Sequence, residues 1–332
     1  MSTHRIPVVK VHLERHPNAD TLSIVHVGGW QVVVKTTDWK EGVLAAYVPP
    51  DYVVPEKPEF EWLRPHCRVV DAKVQDEQSW MRGFRIKTKR FRGEWSQGLL
   101  LPVSEGQEND DVMTPMGIGH YDPPLDASQA GDAEGAPDIP IPVYDVESWQ
   151  NFPTLLQPEE EVLMTEKIHG ANGRWVWWND RLWCGSHKQW KQDRPSSIWW
   201  RAARETPGLI DWLKAHPGII LYGEVYGSVQ DLKYGMHPGE IKVALFDVLN
   251  AGQWLPNDEA RTLTAGLPWV PILYRGPFDS AKAKALADGP STVPGANHFR
   301  EGIVIKPVAE RTCPEIGRVQ LKMVSSAYLE RA

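Results

Sequence analysis

Cysteine is scarce. The 332 residues hold three, Cys67, Cys184 and Cys313, far apart and with no CxxC pair. A zinc site and a disulfide framework are therefore not expected, and a reduced, cytosolic chain is the simple reading. Long apolar runs are also missing. The opening MSTHRIPVVKVHLERH has no apolar leader segment, and no stretch approaches the length of a membrane span, so no membrane partner is expected. Neither G-x-x-x-x-G-K-[ST] nor G-x-G-x-x-G occurs, which disfavours a P-loop kinase and a Rossmann dehydrogenase.

Positive charge is absent from one long stretch. Between residues 104 and 147 there are eleven Asp or Glu and no Lys or Arg; the chain carries −7 in all, so the remainder carries +4. Local charge therefore says more about partners than the total does. Within this stretch, residues 122–142 are rich in Pro, Gly, Ala and Asp and lack apolar periodicity. They read as an acidic linker or long loop between a first domain, 1–121, and a second, 143–332. Two domains suit the length.

Short strands fill the first domain. TLSIVHVGGWQVVVKT reads as a hairpin about Gly28-Gly29, and GVLAAYVPPDYVVP and SQGLLLPV add strands ended by proline. DDVMTPMGI suits a short turn or helix. Five or so strands in about 110 residues suggest an OB-like β-barrel. The segment RGFRIKTKRFRG carries Arg85, Lys87, Lys89 and Arg90 with no acid, and alternation places Arg85, Lys87 and Lys89 on one face. Such a face suits phosphate contacts with nucleic acid; a solvated edge strand protected by its charges is the plainer alternative.

Strands and helices mix in the second domain, giving α+β overall. GRWVWWNDRLWCGS reads as a hairpin turning at Asn179-Asp180. RPSSIWWRAARETPGLIDWLKAHPG reads as helical pieces capped by Ser196 or Ser197 and punctuated by Pro207 and Pro217. GIILYGEVYG, EIKVALFDVL, EGIVIKP and VQLKMVS are strand-like. HKQWKQDRPSSIWWRAAR sets five cations among three tryptophans, so Lys188 and Lys191 are candidate nucleic-acid contacts; Trp199 and Trp200 either stack on nucleic acid or lie in a helix core.

The segment TEKIHGANGRW places Lys167 before a His-Gly turn. Alone it is weak, but Glu224 in LYGEVYG, Phe246 and Asp247 in LFDV, Glu301 and Lys306 in EGIVIKP and Lys322 in QLKMVS follow in order. This set resembles the motifs of the covalent nucleotidyltransferases, the polynucleotide ligases and mRNA-capping enzymes. The Lys-x-His-Gly-x-Asn form resembles their RNA-ligase branch rather than the commoner Lys-x-Asp-Gly. The resemblance covers nearly the whole chain: an OB-like domain first, an adenylation domain second, and an end ten residues past Lys322, where DNA ligases and capping enzymes continue into another OB domain. The implied activity is that of an ATP-dependent RNA ligase, of the class that seals nicks in duplexes and serves RNA repair. Lys167 would take AMP from ATP and pass it to an RNA 5′-phosphate, and a 3′-OH would then displace the AMP. The resemblance puts Glu224 on the ribose, Phe246 on the base and Lys322 on the α-phosphate. Asn172 would lie near that phosphate or its metal-bound water, and Glu166, His169 and Lys306 are counted with the nucleotide-binding residues.

The chemistry is consistent with those residue types. A neutral amine can attack an α-phosphate, but lysine is protonated at pH 7 unless tuned, and the cations Lys306 and Lys322 are expected to lower the pKa of Lys167. Glu301 is the hard oxygen ligand that Mg²⁺ or Mn²⁺ prefers. Gln320 stands where a second motif lysine is usual, which raises the question of whether Lys306 supplies the missing charge. Strict alternation would aim Glu301 and Lys306 at opposite faces. HPNADTLSIVHVG with RGEWSQGLLLP also resembles the OB modules of tRNA-binding proteins. The rival readings are thus a DNA ligase or capping enzyme, or a non-catalytic RNA-binding protein. A monomer is expected.

Overall fold

The computed structural model describes residues 4–73, 80–121 and 132–331. The chain forms two compact units, one comprising Met1–Pro124, Trp149–Pro153 and Ser326–Ala332, the other Leu125–Ser148 and Thr154–Ser325. Residues 122–131 of the expected linker lie outside the described residues. Its continuation enters the second unit, where Ala133–Glu134 pairs with Trp190–Lys191.

The first unit is built from strands β1 (Val8–Lys10), β2 (Glu14–Arg15), β3 (Leu22–Val27), β4 (Trp30–Lys35), β5 (Leu44–Val48), β6 (Tyr52–Pro55), β7 (Arg68–Lys73), β8 (Trp80–Arg85), β9 (Thr88–Phe91), β10 (Glu94–Gln97), β11 (Leu99–Pro102) and β12 (Gly119–His120). The β3–β4 hairpin turns at Gly28, whose φ of +57° suits a residue without a Cβ. Strands β12, β6, β8 and β7 close a barrel, and β5 pairs with both β1 and β11. Inside, Ala46, Val48, Val54, Phe84, Leu101 and Ile118 form an apolar cluster. DDVMTPMGI contains one helical turn, Met113–Met116, ended by Gly117 in the left-handed conformation.

In the second unit two sheets carry the chain. The first runs β13 (Ala133–Glu134), β18 (Trp190–Lys191), β17 (Arg181–Ser186), β16 (Gly170–Trp178), β19 (Ile220–Gly227), β20 (Ile241–Asn250), β21 (Gln253–Trp254). The second runs β14 (Glu147–Ser148), β26 (Leu321–Val324), β23 (Gly302–Pro307), β15 (Glu161–Lys167), β22 (Ile272–Pro277). A small hairpin, β24 (Thr312–Cys313) and β25 (Gly317–Arg318), precedes β26. Asn179 and Asp180, both with positive φ, make the tight β16–β17 turn that suits a twisted hairpin. Helices Ile198–Glu205 and Leu209–Ala215 stop just before Pro207 and Pro217. Ser197 holds the N-cap position of the first helix, but its side chain makes no cap bond. Trp199 and Trp200 are buried, so both belong to the core rather than to a stacking surface. Trp175 is fully buried with them, and truncating it would cost about 3–5 kcal/mol. Beyond the strands read from sequence, β15 and β22 and the helices Asn257–Leu263, Ser280–Ala287 and Ser326–Arg331 are present.

Candidate active site in the second unit

Lys167 is the last residue of β15, beside the first residues of β16. Gly170 lets β16 lie flat on β19, because a Cβ there would sit 2.1 Å from the Val225 carbonyl oxygen. The resulting register sets Asn172 opposite Glu224. On the other side of β15, Lys167 pairs with Gly302, so Glu301 lies one residue ahead of β23. Strand alternation does not govern a residue outside the strand. Glu301 thus reaches Lys167 Nζ at 2.6 Å from outside the strand, while Lys306, within β23, lines the cavity that Lys167 also lines.

The cavity measures about 280 Å³. Its walls include Lys167, Asn172, Glu224, Phe246, Lys306 and Lys322. Phe246 is presented by a bulge: Leu245 pairs with Gly223 and Asp247 with Tyr222, leaving Phe246 as the extra residue, turned toward the cavity between two buried neighbours. Its ring packs on Tyr144, centroids 4.6 Å apart, which gives the cavity an aromatic wall.

Electrostatics corrects an expectation. Burial pulls the Lys167 amine down, but Glu301 and Glu224 more than offset it, so its pKa is raised rather than lowered. Lys306 cannot supply the expected positive field, because its ammonium is spent on Asp247, at 2.6 Å, and on the Phe246 carbonyl. Arg318 joins the same acid at 2.5 Å, and Tyr144 donates to it at 2.7 Å. Burial pushes Asp247 up, and the two cations more than offset that, holding its carboxyl below the usual range. Gln320 donates to the Asp145 carbonyl. Lys322 is the cation left beside Lys167, and burial followed by repulsion from Lys167 lowers its pKa. Glu224 is pushed up to about 8, chiefly by burial.

Several candidates sit differently from what their sequence positions suggested. Glu166 lines the cavity, but its carboxylate is held by Ser291 Oγ (2.5 Å) and by the Thr292 amide and hydroxyl (both 2.7 Å), so the side chain is not available to a ligand. His169 contacts Asp231 through Nε2 (2.9 Å) and Glu301 through Nδ1 (3.4 Å). Lys191 is buried and paired with Asp132 at 3.3 Å, which removes it from the nucleic-acid contacts; Lys188 is exposed. In the first unit burial does alternate through residues 84–89, placing Arg85, Lys87 and Lys89 on one face. Yet Arg85 is bound to Asp51 at 2.5 Å and Lys89 donates to the His66 carbonyl, while Arg90 lies over the Trp95 ring. Tyr144, Asp145, His187 and Arg318 were not singled out in sequence; Tyr144 and Asp145 close the acidic stretch, and Arg318 lies four residues before Lys322.

Comparison with known proteins fits this geometry. The RNA ligase family matches residues 160–324, and an OB-fold domain family matches residues 5–103. The chain belongs to the RNA ligase family. The ligase is similar to solved structures of the Naegleria gruberi RNA ligase. One variant of that enzyme, with ATP and Mn, superposes at a TM-score of 0.82 with 25% identity, covering 99% of both chains. The same enzyme with PPi superposes at 0.79 with 26% identity, covering 98% of this chain and 97% of that one. A search of curated proteins finds no match. Among the described residues of the ligase, no helix is long and apolar enough to cross a membrane.

Proposed function

We propose that this RNA ligase uses ATP to charge Lys167 with AMP and then joins RNA 3′-OH and 5′-phosphate ends, acting as a monomer on nicked duplexes in RNA repair. The observation that carries the reading is the placement of Lys167 Nζ 2.6 Å from Glu301 inside a cavity that also holds Glu224 and Lys322. In the first step the Lys167 amine attacks the α-phosphorus, a P–N bond forms, and the bond to pyrophosphate breaks. The ammonium must first lose a proton, and Glu301 already accepts its hydrogen bond. Lys322 is the cation placed to offset charge developing on the phosphate. Phe246 and Tyr144 offer the base an apolar face. The similarity to a ligase solved with ATP and Mn supports the choice of nucleotide.

The residues fit a divalent ion, Mg²⁺ or Mn²⁺. Asn172 Oδ1 is a buried oxygen with no hydrogen-bond partner, opposite Glu224 in the strand pairing, and the Glu301 carboxylate stands at Lys167; these are the hard donors such an ion takes. When bound, the ion would supply Lewis-acid stabilisation of phosphate charge. Among the described residues no group of three or more His, Cys, Asp or Glu side chains gathers to hold an ion, so substrate oxygens and water would complete its shell.

The test is to incubate the protein with α-labelled ATP or GTP and Mn²⁺, denature it, and ask whether label stays on the chain. A nicked duplex with an RNA 3′-OH is then offered for sealing. Label from ATP that is lost on Lys167→Ala is expected. Label from GTP alone would indicate a capping-type enzyme, and RNA binding without label would indicate a non-catalytic protein.

A further inference from the structure

The connection from β19 to β20, residues 228–240, holds His169 at two points. Tyr234 Oη accepts the His169 backbone N–H at 2.6 Å, and Asp231 Oδ1 meets the ring Nε2 at 2.9 Å. His169 is two residues from Lys167 and in turn touches Glu301. Tyr234 has φ of +52°, a conformation that a bulky side chain rarely adopts. Its neighbour Gly235 has φ of +72°, and a Cβ there would stand 2.2 Å from the Gly295 carbonyl oxygen. The ring is buried, 1% exposed, edge-on to Tyr226 and His298. A strained backbone, a packed ring and a hydroxyl aimed at the His169 amide together form a rigid support for the turn after the nucleophile.

We propose that Tyr234 is a positioning residue for lysine adenylylation: its hydroxyl fixes the turn from Lys167 to Gly170, and so the aim of the Lys167 amine, with Asp231 as a second hold on the same histidine. Strand pairing fixes Lys167 on one side, through Gly302, and β16 is fixed from Gly170 onward. Ile168 and His169 are the two residues between, and their peptide geometry sets where the lysine side chain starts. A small error there is amplified along four methylenes to the reacting nitrogen. Displacements of that kind cost on the order of tenfold to a hundredfold in rate. The proposal rests on Lys167 being the nucleophile.

The experiment compares wild type, Tyr234→Phe and Asp231→Ala in two reactions. One is single-turnover lysyl-adenylate formation at varied ATP. The other is sealing of a pre-adenylated RNA nick, which needs no lysine nucleophile. Tyr234→Phe should lower the maximal labelling rate between about tenfold and a hundredfold. Its ATP half-saturation should stay within about twofold of wild type, and sealing of the pre-adenylated nick should also stay within about twofold, since neither depends on the aim of the amine. Asp231→Ala, at a side chain that is 66% exposed, should give a smaller fall in the same step alone and remains informative if the core variant folds poorly. Labelling at the wild-type rate in both variants overturns the proposal, as does an equal loss in both reactions, which would mark a merely structural role. A wild-type protein that seals pre-adenylated RNA but takes no label would instead overturn the Lys167 reading, and this proposal with it.

Discussion

The two units use their cations differently. In the first, Arg85, Lys87, Lys89 and Arg90 sit along one stretch, with Arg85 on a half-exposed acid, Lys89 on a carbonyl and Arg90 over a ring. In the second, Lys191, Lys306 and Arg318 are drawn inside, with side chains 1%, 8% and 10% exposed, each against a buried acid. Linear charge density counts both sets alike. What separates them is whether the acid that meets the cation is itself buried, because a paired acid offsets much of the cost of taking a charge out of water. Asp132 meets Lys191, and Asp247 meets both Lys306 and Arg318. Lys322, half-buried, lines the cavity beside Lys167, and that placement makes it the phosphate candidate.

Variants can break this contrast, the most drastic being at the nucleophile. Lys167→Arg keeps a charge but cannot serve as the amine, so AMP labelling should fall by a thousandfold or more, on the order of the full catalytic effect. Labelling near wild type would move the nucleophile elsewhere. Glu301→Ala and Lys322→Ala should each lower the labelling rate by about 10²–10³-fold, as expected for groups acting on transition-state charge; a rate within twofold across Mn²⁺ concentrations would exclude Glu301 from the site. Lys191→Met leaves Asp132 buried and unpaired and should cost about 3–5 kcal/mol in urea unfolding, with the salt dependence of RNA binding unchanged. A flatter salt dependence would return Lys191 to the RNA surface. In the first unit, Lys87→Ser with Arg90→Ser should do the reverse: little change in stability, and a salt slope reduced by roughly 0.7–0.9 for each RNA phosphate that is no longer neutralised.

A pH experiment sharpens the same contrast. The Glu224 carboxyl holds its proton to about pH 8 in the folded chain against 4.5 ordinarily. Its contribution to stability is therefore complete below pH 4.5 and is lost as pH rises toward 8. Glu301 and Asp247, both lowered, act in the opposite sense on the acid side of their ordinary values. Glu224→Gln should thus flatten the fall in Tm between pH 5 and 8 by comparison with wild type. Parallel profiles would show that Glu224 ionises normally.

Sequence carried the elements with a strong local signature. The Gly28 and Asn179-Asp180 hairpins, the proline-punctuated helices and the strands bearing Glu224, Phe246 and Lys322 were all visible, because turn chemistry and apolar patterning are local. The motif order led to the family. The acids that neutralise Lys191 and Lys306 were not legible, since they lie 59 residues away in each case. Glu166 looked like a ligand for the same reason: Ser291 and Thr292, which occupy it, are 125 and 126 residues distant. The raised pKa of Lys167 also depends on carboxylates brought in by other strands. Glu301 escaped the alternation argument by a single residue at a strand boundary, where such rules are weakest.

Asp247 accepts from Lys306, Arg318 and Tyr144 at once, and it directly follows the bulged Phe246. One carboxylate therefore ties four segments of the chain into a unit of inheritance. Loss of the acid alone would strand the buried Lys306, while Arg318 would keep Glu310 at 2.5 Å, whereas loss of either cation alone would leave the other on the acid. Among descendants of this sequence, Lys306 and Arg318 should drift singly, while Asp247 should change only after Lys306 has been replaced.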